Sequence, residues 1–207
     1  SYYLPRPQIG FKLYRKRRRF FVASKTKQNL VLRQAAPSDA ETIAALHTES
    51  WRSAYRGILS DDYLDGTIFD ERKSYWQKSL IAPEPDRRFI LIAEREGEAV
   101  AFVSVYLDEE PDYGALLHNL HVRPHLKGQG LGKLLMSEAA RWTIAQNVKQ
   151  MYLWVFEANI EARKFYEALG GRVVEEKLES VAGNVERNLL RYVWQDSHSL
   201  LVVKEKR

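Results

Sequence analysis

The chain has 207 residues, 45% of them apolar and 12% aromatic, enough to bury one sizeable core. It has no cysteine, which excludes disulfides, thiolate metal sites and a cysteine nucleophile and suits a reducing compartment. The net charge of +5 is uneven: residues 1–28 hold nine Lys/Arg and no acid, and the other 23 bases face all 27 acids, so the body is near −4 and the total says little about its partners.

In chain order, the basic extension comes first. Its "FKLYRKRRRFF" sets five consecutive bases between aromatics. That composition suits RNA, ribosomes or anionic lipid, and equally a solvated extension or an acid-free leader. We read residues 1–28 as this extension, 29–197 as one domain and 198–207 as a C-terminal tail, with nucleic acid a partner only through the extension. No apolar run approaches the roughly 20 residues of a membrane helix, and no apolar segment of a secretory signal is present in residues 1–28. The expectation is a cytoplasmic protein without a membrane span.

Next, "LVLRQA" predicts a strand, and "PSDAETIAALHTESW" a helix with Ser38 and Glu41 at capping-box spacing. A loop, Tyr55 to Thr67, separates it from a second helix over "DERKSYWQKSL". "RFILIAEREGEAVAFVSVYL" reads as two strands turning at Glu96-Gly97, and an acidic loop, Asp108 to Gly114, leads to the strand "LLHNLHV", ended by Pro124. Past the glycines of "LKGQGLG", Leu131, Leu134, Leu135, Ala139 and Trp142 recur at helical spacing. "MYLWVF" has the continuous apolar character of a strand covered on both faces. A helix carrying Ala158, Ala162, Phe165, Tyr166 and Leu169 on one face stops at Gly170-Gly171, and two strands flank a turn at Ala182-Gly183. The order predicts an α/β chain of the α+β type with a mostly antiparallel sheet.

Gly128, Gly130 and Gly132 lie where a strand hands over to a helix, and the first N–H groups of a helix, with its dipole, favour an anion. A Walker loop would need glycine at Lys127 and Ser or Thr at Leu134. A dinucleotide fingerprint would need glycine at Lys133 or Leu135. Neither pattern fits. What fits is a basic or amide side chain, two residues, Gly130, one residue and Gly132.

"HVRPHLKGQGLGKLL" resembles the signature of GNAT-type N-acetyltransferases, and "EANIEARKFYEALGG" resembles that family's second core motif through Asn159, Ala162, Phe165 and Tyr166. With "ESWRSAYRG" and "RYVWQD" the resemblance covers about residues 30–196. It implies a mixed, mostly antiparallel sheet of six or seven strands flanked by helices, and acetyl-CoA as the acetyl donor with no metal. The turn Lys127, Gly128, Gln129, Gly130, Leu131, Gly132 and Lys133 would cradle the pyrophosphate. Backbone at Leu120, His121 and Val122 would pair with the pantetheine arm and the thioester oxygen.

Tyr166 would be the general acid beside the sulfur, although an aromatic at this spacing also packs as core. Asn159 would cap its helix and hold the coenzyme arm. Many relatives carry a Glu base on the strand before the glycines, where this chain has Leu116. His118, two residues on, could accept an ammonium proton or simply bond within the pocket wall; Glu49, Glu157 and water are the other candidates. His118 and His121 should face opposite sides of the strand, with His125 beyond Pro124, so no metal site is expected. Lys127 departs from the usual Gln or Arg, and Gly171 from a common aromatic. Trp51, Tyr55 and Tyr106 are candidates for the acceptor pocket or for the core, and the acidic loop could attract a cationic amine. Small amines, amino acid derivatives and peptide amines all stand as acceptors, and a homodimer is compatible with the sequence. The alternatives to an enzyme are an acyl-CoA sensor module and a protein that binds nucleic acid through its extension.

Overall fold

The computed structural model describes residues 20–22, 30–81, 87–181 and 185–202. The basic extension other than 20–22 and the turn at Ala182-Gly183 lie outside the described residues. Eight strands form one sheet in the order β1-β2-β3-β4-β5-β6-β8-β7. They are β1 (Phe20–Val22), β2 (Leu30–Gln34), β3 (Arg88–Arg95), β4 (Glu98–Glu110), β5 (Gly114–Val122), β6 (Met151–Phe156), β7 (Arg172–Val181) and β8 (Val185–Trp194). Every neighbouring pair is antiparallel except β5 and β6. The expected seven strands are present, and β1 adds a short edge from within the basic extension.

The helices are α1 (Ala40–Ala54), α2 (Asp61–Asp65), α3 (Ile68–Ile81), α4 (Leu131–Ala145) and α5 (Ile160–Ala168). None of the described helices is long and apolar enough to cross a membrane. Two cores lie on opposite faces of the sheet. Under α4, Leu135, Met136 and Ala139 pack on Val103, Val105 and Leu153. Under α1 and α3, Ile43, Leu46 and Trp76 close on Ile92 and Phe102. Each fully buried Ile, Leu or Phe contributes about 1.5–3 kcal/mol, so these faces fix where the helices sit.

Several local expectations are corrected. Ser38 does not cap α1: Pro37–Asp39 form a 3-10 turn, and the Asp39 carboxylate accepts the Ala36 N–H at 2.7 Å while pairing with Arg33. Asp39 outcompetes serine because a carboxylate makes a stronger, charge-assisted bond. The expected loop before α3 contains α2, started by Ser60, whose hydroxyl accepts the Tyr63 N–H, with Asp61 and Asp62 in the first turn. The acidic loop is mostly strand. Asp108 and Glu110 lie in β4 and are held by Arg87 and the buried Arg191, which leaves them poor bait for a cationic amine. The boundary expected after residue 197 falls inside a turn, Ser197–Leu200, whose Leu200 is buried in the core under α4.

The feature that creates a site is the parting of β5 from β6. They pair only at Ala115–Met151 and Leu116–Tyr152, so the backbone edges beyond have no strand partner. On its other side β5 carries a bulge: Leu117 pairs with Val105 and Asn119 with the adjacent Ser104, leaving His118 as the extra residue.

Candidate active site

A cavity of about 420 Å³ fills the gap between β5 and β6 and is floored by the glycine turn, α4 and α5. Leu120, His121 and Val122 form its β5 wall; Lys127, Gly128, Gly130, Leu131, Gly132 and Lys133 line the turn. The three glycines serve two different needs. Gly128 and Gly130 have φ of +77° and +83°, left-handed values that side chains resist, and nothing lies within 4 Å of where their Cβ would be. Their backbone is therefore open to a ligand. Gly132 instead makes room for a neighbour, since a Cβ there would sit 3.2 Å from the Phe165 ring.

Lys127 reaches across the mouth to Glu161 at 2.9 Å. Lys133 is exposed. Gln129 turns away: its side chain accepts from Arg95 at 3.0 Å and does not line the cavity. Asn159 lines the cavity and caps α5 by accepting the Ala162 N–H at 3.2 Å. Ala162, Phe165 and Tyr166 follow on the cavity side of α5.

Tyr166 packs edge-on against Phe165 and Trp194, with ring centres 5.3 and 5.9 Å away. Burial, helped by the nearby Tyr55 phenol, raises its pKa well above the usual tyrosine value, and no described residue bonds its hydroxyl. It is a protonated donor with no acceptor among the described residues. Tyr55 also lines the cavity, its pKa pushed up to about 12 by burial. At Gly171, where the resemblance implied an aromatic, Trp194 fills the space: a Cβ at 171 would lie 2.7 Å from its indole.

The opposite wall is aromatic and basic. Because of the bulge, His118 and His121 reach the same face of the sheet and both line the cavity, against the expectation that they point to opposite sides. His118 lies against Tyr106, ring centres 4.9 Å apart, with Tyr75 at 6.1 Å; the two tyrosine hydroxyls bond each other at 2.7 Å. The Asn119 amide donates to Ser104 Oγ and to His118 Nδ1, so the neutral ring carries its proton on Nε2 and offers a donor to the cleft. That tautomer does not suit the expected general base. Surrounding protein, then Arg72 and Arg88, lower the His118 pKa to about 4. Burial, with the charges of His118, Lys127 and Arg72, takes His121 to about 3; its Nδ1 bonds Ser50 Oγ at 2.9 Å.

Behind them, His47 is buried 4.4 Å from the His121 ring centre, and burial holds it neutral. Trp51 and Tyr106 do not line the cavity; they form the layer behind it. Neither carboxylate candidate reaches it. Glu49 is paired with Arg123, and Glu157 accepts from Asn188 at a separate shallow pocket. His125 is exposed, and no three described His, Asp or Glu side chains gather as a metal would require.

The acetyltransferase (GNAT) family model matches residues 43–171. The chain belongs to this family. Relatives of this GNAT enzyme include the uncharacterized N-acetyltransferase YuaI of Bacillus subtilis, 26% identical over 74% of this chain and 87% of its own length. An uncharacterized N-acetyltransferase of Archaeoglobus fulgidus is 33% identical over 65% of this chain and 88% of its own. In fold the GNAT domain is similar to the PaiA N-acetyltransferase of Thermoplasma acidophilum, solved in complex with coenzyme A: TM-score 0.64 at 21% identity, over 78% of this chain and 97% of that one.

Most of the residues that sequence reasoning assigned to the coenzyme line this cavity, whereas much of the opposite wall was missed. His47, Arg72 and Tyr75 carry no motif, and Ser50, inside "ESWRSAYRG", was not singled out. The only sequence signal is that Ser50 and His47 sit one turn apart on α1, with Trp51 next to Ser50, which places polar groups on a helix face otherwise read as core.

Proposed function

We propose that acetyl-CoA binds in the cleft between β5 and β6 and that a primary amine attacks its acetyl group directly in a ternary complex. The observation that carries this is the unpaired edge of β5 running from the glycine turn to an unpartnered tyrosine hydroxyl. The solved structure of PaiA with coenzyme A has the same fold and supports the reading. The N–H groups around Gly128 to Gly132 hold the diphosphate, with Lys127 and Lys133 balancing charge. Free backbone groups at Leu120 to Val122 pair with the pantetheine arm and stabilise the thioester oxygen as charge develops.

Acetyl-CoA supplies a thioester carbon that a neutral amine attacks, the C–N bond forming as C–S breaks. Tyr166 donates its proton to the departing thiolate. Proton balance then requires the ammonium proton to leave through water and restore Tyr166. His118, with its N–H toward the cleft, positions the acceptor and does not take the proton. Neutral at pH 7, it places no extra charge against an incoming amine.

Thermal-shift titration with acetyl-CoA, coenzyme A and ATP tests the reading. A ligand at 100 times its Kd adds about 2.7 kcal/mol of stability. Both coenzyme forms should shift the midpoint saturably and ATP should not; thiol release with an amine then separates an enzyme from an acyl-CoA sensor. A folded protein that shows no shift with either form would end the proposal.

A further inference from the structure

A turn built on glycines has little shape of its own, because glycine takes left-handed and right-handed backbone conformations about equally readily. Where the turn floors the cleft, Leu131 is buried in the core under α4 and Leu126 packs against that core. The residues between them, Lys127 to Gly130, have few restraints. Nothing lies within 4 Å of a Cβ placed at Gly128 or Gly130, and neither Gly128 nor Gln129 makes a backbone hydrogen bond to a described residue. The openness that lets a ligand approach also leaves this backbone free to rearrange.

Among the described residues, side-chain hydrogen bonds reach the turn from two directions. Lys127 pairs with Glu161 of α5, and from the opposite side Arg95 Nη1 donates to Gln129 Oε1 at 3.0 Å. Gln129 sits between the two left-handed glycines and is the one residue from 127 to 133 that does not line the cavity. Arg95 is a firm anchor for it. It ends β3, paired with Leu30 of β2 on one side and with Glu98 of β4 on the other, and its Nε is buried. No described carboxylate competes for its guanidinium. Arg123, just before the turn, donates its backbone N–H to the Val100 carbonyl and its Nε–H to the Ala99 carbonyl, each at 2.9 Å. The β3–β4 hairpin and the turn are thereby held side by side. Arg95 then spans the gap with a charge-assisted bond, stronger than one between neutral groups.

We propose that Arg95 is a positioning residue for the coenzyme: by holding the Gln129 side chain outside the cleft, it keeps the glycine turn in the shape that presents its N–H groups to the diphosphate. This rests on the acetyltransferase reading above. Arg95 does not line the cavity, so it acts on coenzyme affinity through Gln129 and takes no part in acetyl transfer. A turn ordered before the ligand arrives binds more tightly, because the ligand does not have to order it.

Calorimetric titration of the full chain with acetyl-CoA tests this in the wild type, Arg95→Ala, Arg95→Lys, Gln129→Ala and the variant with both alanines. If the untethered turn is competent about a third to a tenth of the time, each single alanine raises Kd about threefold to tenfold. The double variant should bind no more weakly than either single one, since both remove the same contact. Arg95→Lys keeps a charged donor and should recover most of the loss. In turnover the loss should fall on the acetyl-CoA KM rather than on kcat. Gln129→Ala is decisive because it trims an exposed side chain, leaves the Arg95 charge in place and puts no core packing at risk. Unchanged affinity in that variant overturns the inference. Additive losses overturn it as well, since Arg95 would then act on the coenzyme independently of Gln129. A loss in Arg95→Ala that falls on kcat has the same consequence. Failure of the wild type to bind acetyl-CoA would instead remove the acetyltransferase proposal itself.

Discussion

The two walls of the cleft are built by different means. The α4/α5 wall comes from two contiguous stretches, Lys127 to Lys133 and Asn159 to Tyr166, and acts largely through backbone: glycines with left-handed φ, a helix N-terminus and an unpaired strand edge. The α1/α3 wall is made of side chains brought together from α1, α3, β4 and β5, stacked and hydrogen-bonded across 29 to 71 positions of sequence. A backbone site needs particular residue types at fixed spacing and so leaves a motif. A side-chain site can be assembled from almost any scaffold position that faces the cleft, which lets one coenzyme fold serve different acceptors.

The strongest way to break this contrast is Tyr166→Phe. Under the proton donation proposed for Tyr166, its loss should lower kcat by roughly 10²–10⁴-fold with little change in the acetyl-CoA KM. Steady-state kinetics in which kcat falls less than about tenfold would return Tyr166 to the core. Next, Gly130→Ala forces a side chain into φ +83°. The left-handed penalty of about 1–2 kcal/mol corresponds to an order of magnitude in coenzyme affinity if the turn holds the diphosphate. Gly132→Val should act differently, lowering the melting temperature through its clash with Phe165 more than it weakens binding. Equal effects of the two in calorimetric titration would dissolve the distinction between open and packed glycines.

The opposite wall predicts a pH dependence. His118 and His121 titrate near 4 and 3 in the folded protein, against 6.5 without the surrounding protein. Below pH 6.5 the unfolded chain therefore binds more protons than the folded one. Their contribution is fully present above 6.5 and is lost as the pH falls toward 4 and then 3. Melting temperature should drop through that window, and His121→Asn should flatten the drop. A wild-type curve level from pH 7 to 4 would contradict the lowered imidazole pKa values. The smallest effect belongs to the Lys127–Glu161 pair, an exposed contact worth about 0–1 kcal/mol. Glu161→Gln frees Lys127 and should tighten acetyl-CoA by a few-fold, whereas Lys127→Ala should weaken it; movement in the same direction would show that Lys127 does not face the phosphates.

Local rules in the sequence determined most of the element order: the apolar periods of α1, α4 and α5, the continuous run of β6, the turn at Glu96-Gly97, and both coenzyme motifs. They also identified the departures at Leu116, Lys127 and Gly171 without explaining them. Only tertiary structure decided the rest. Trp194, from a strand beyond α5, occupies the space that made glycine necessary at 171. The bulge at His118 depends on its pairing with β4, and it reversed the side on which that imidazole was expected relative to His121. The hydrogen bond from Asn119 set the His118 tautomer. Arg72, anonymous in the chain, and Trp51, which the sequence left between pocket and core, meet only because α1 and α3 share a core with Ile92 and Phe102. Local spacing records what a residue's own helix or turn requires. It carries no record of which side chains a sheet and two helices will bring face to face.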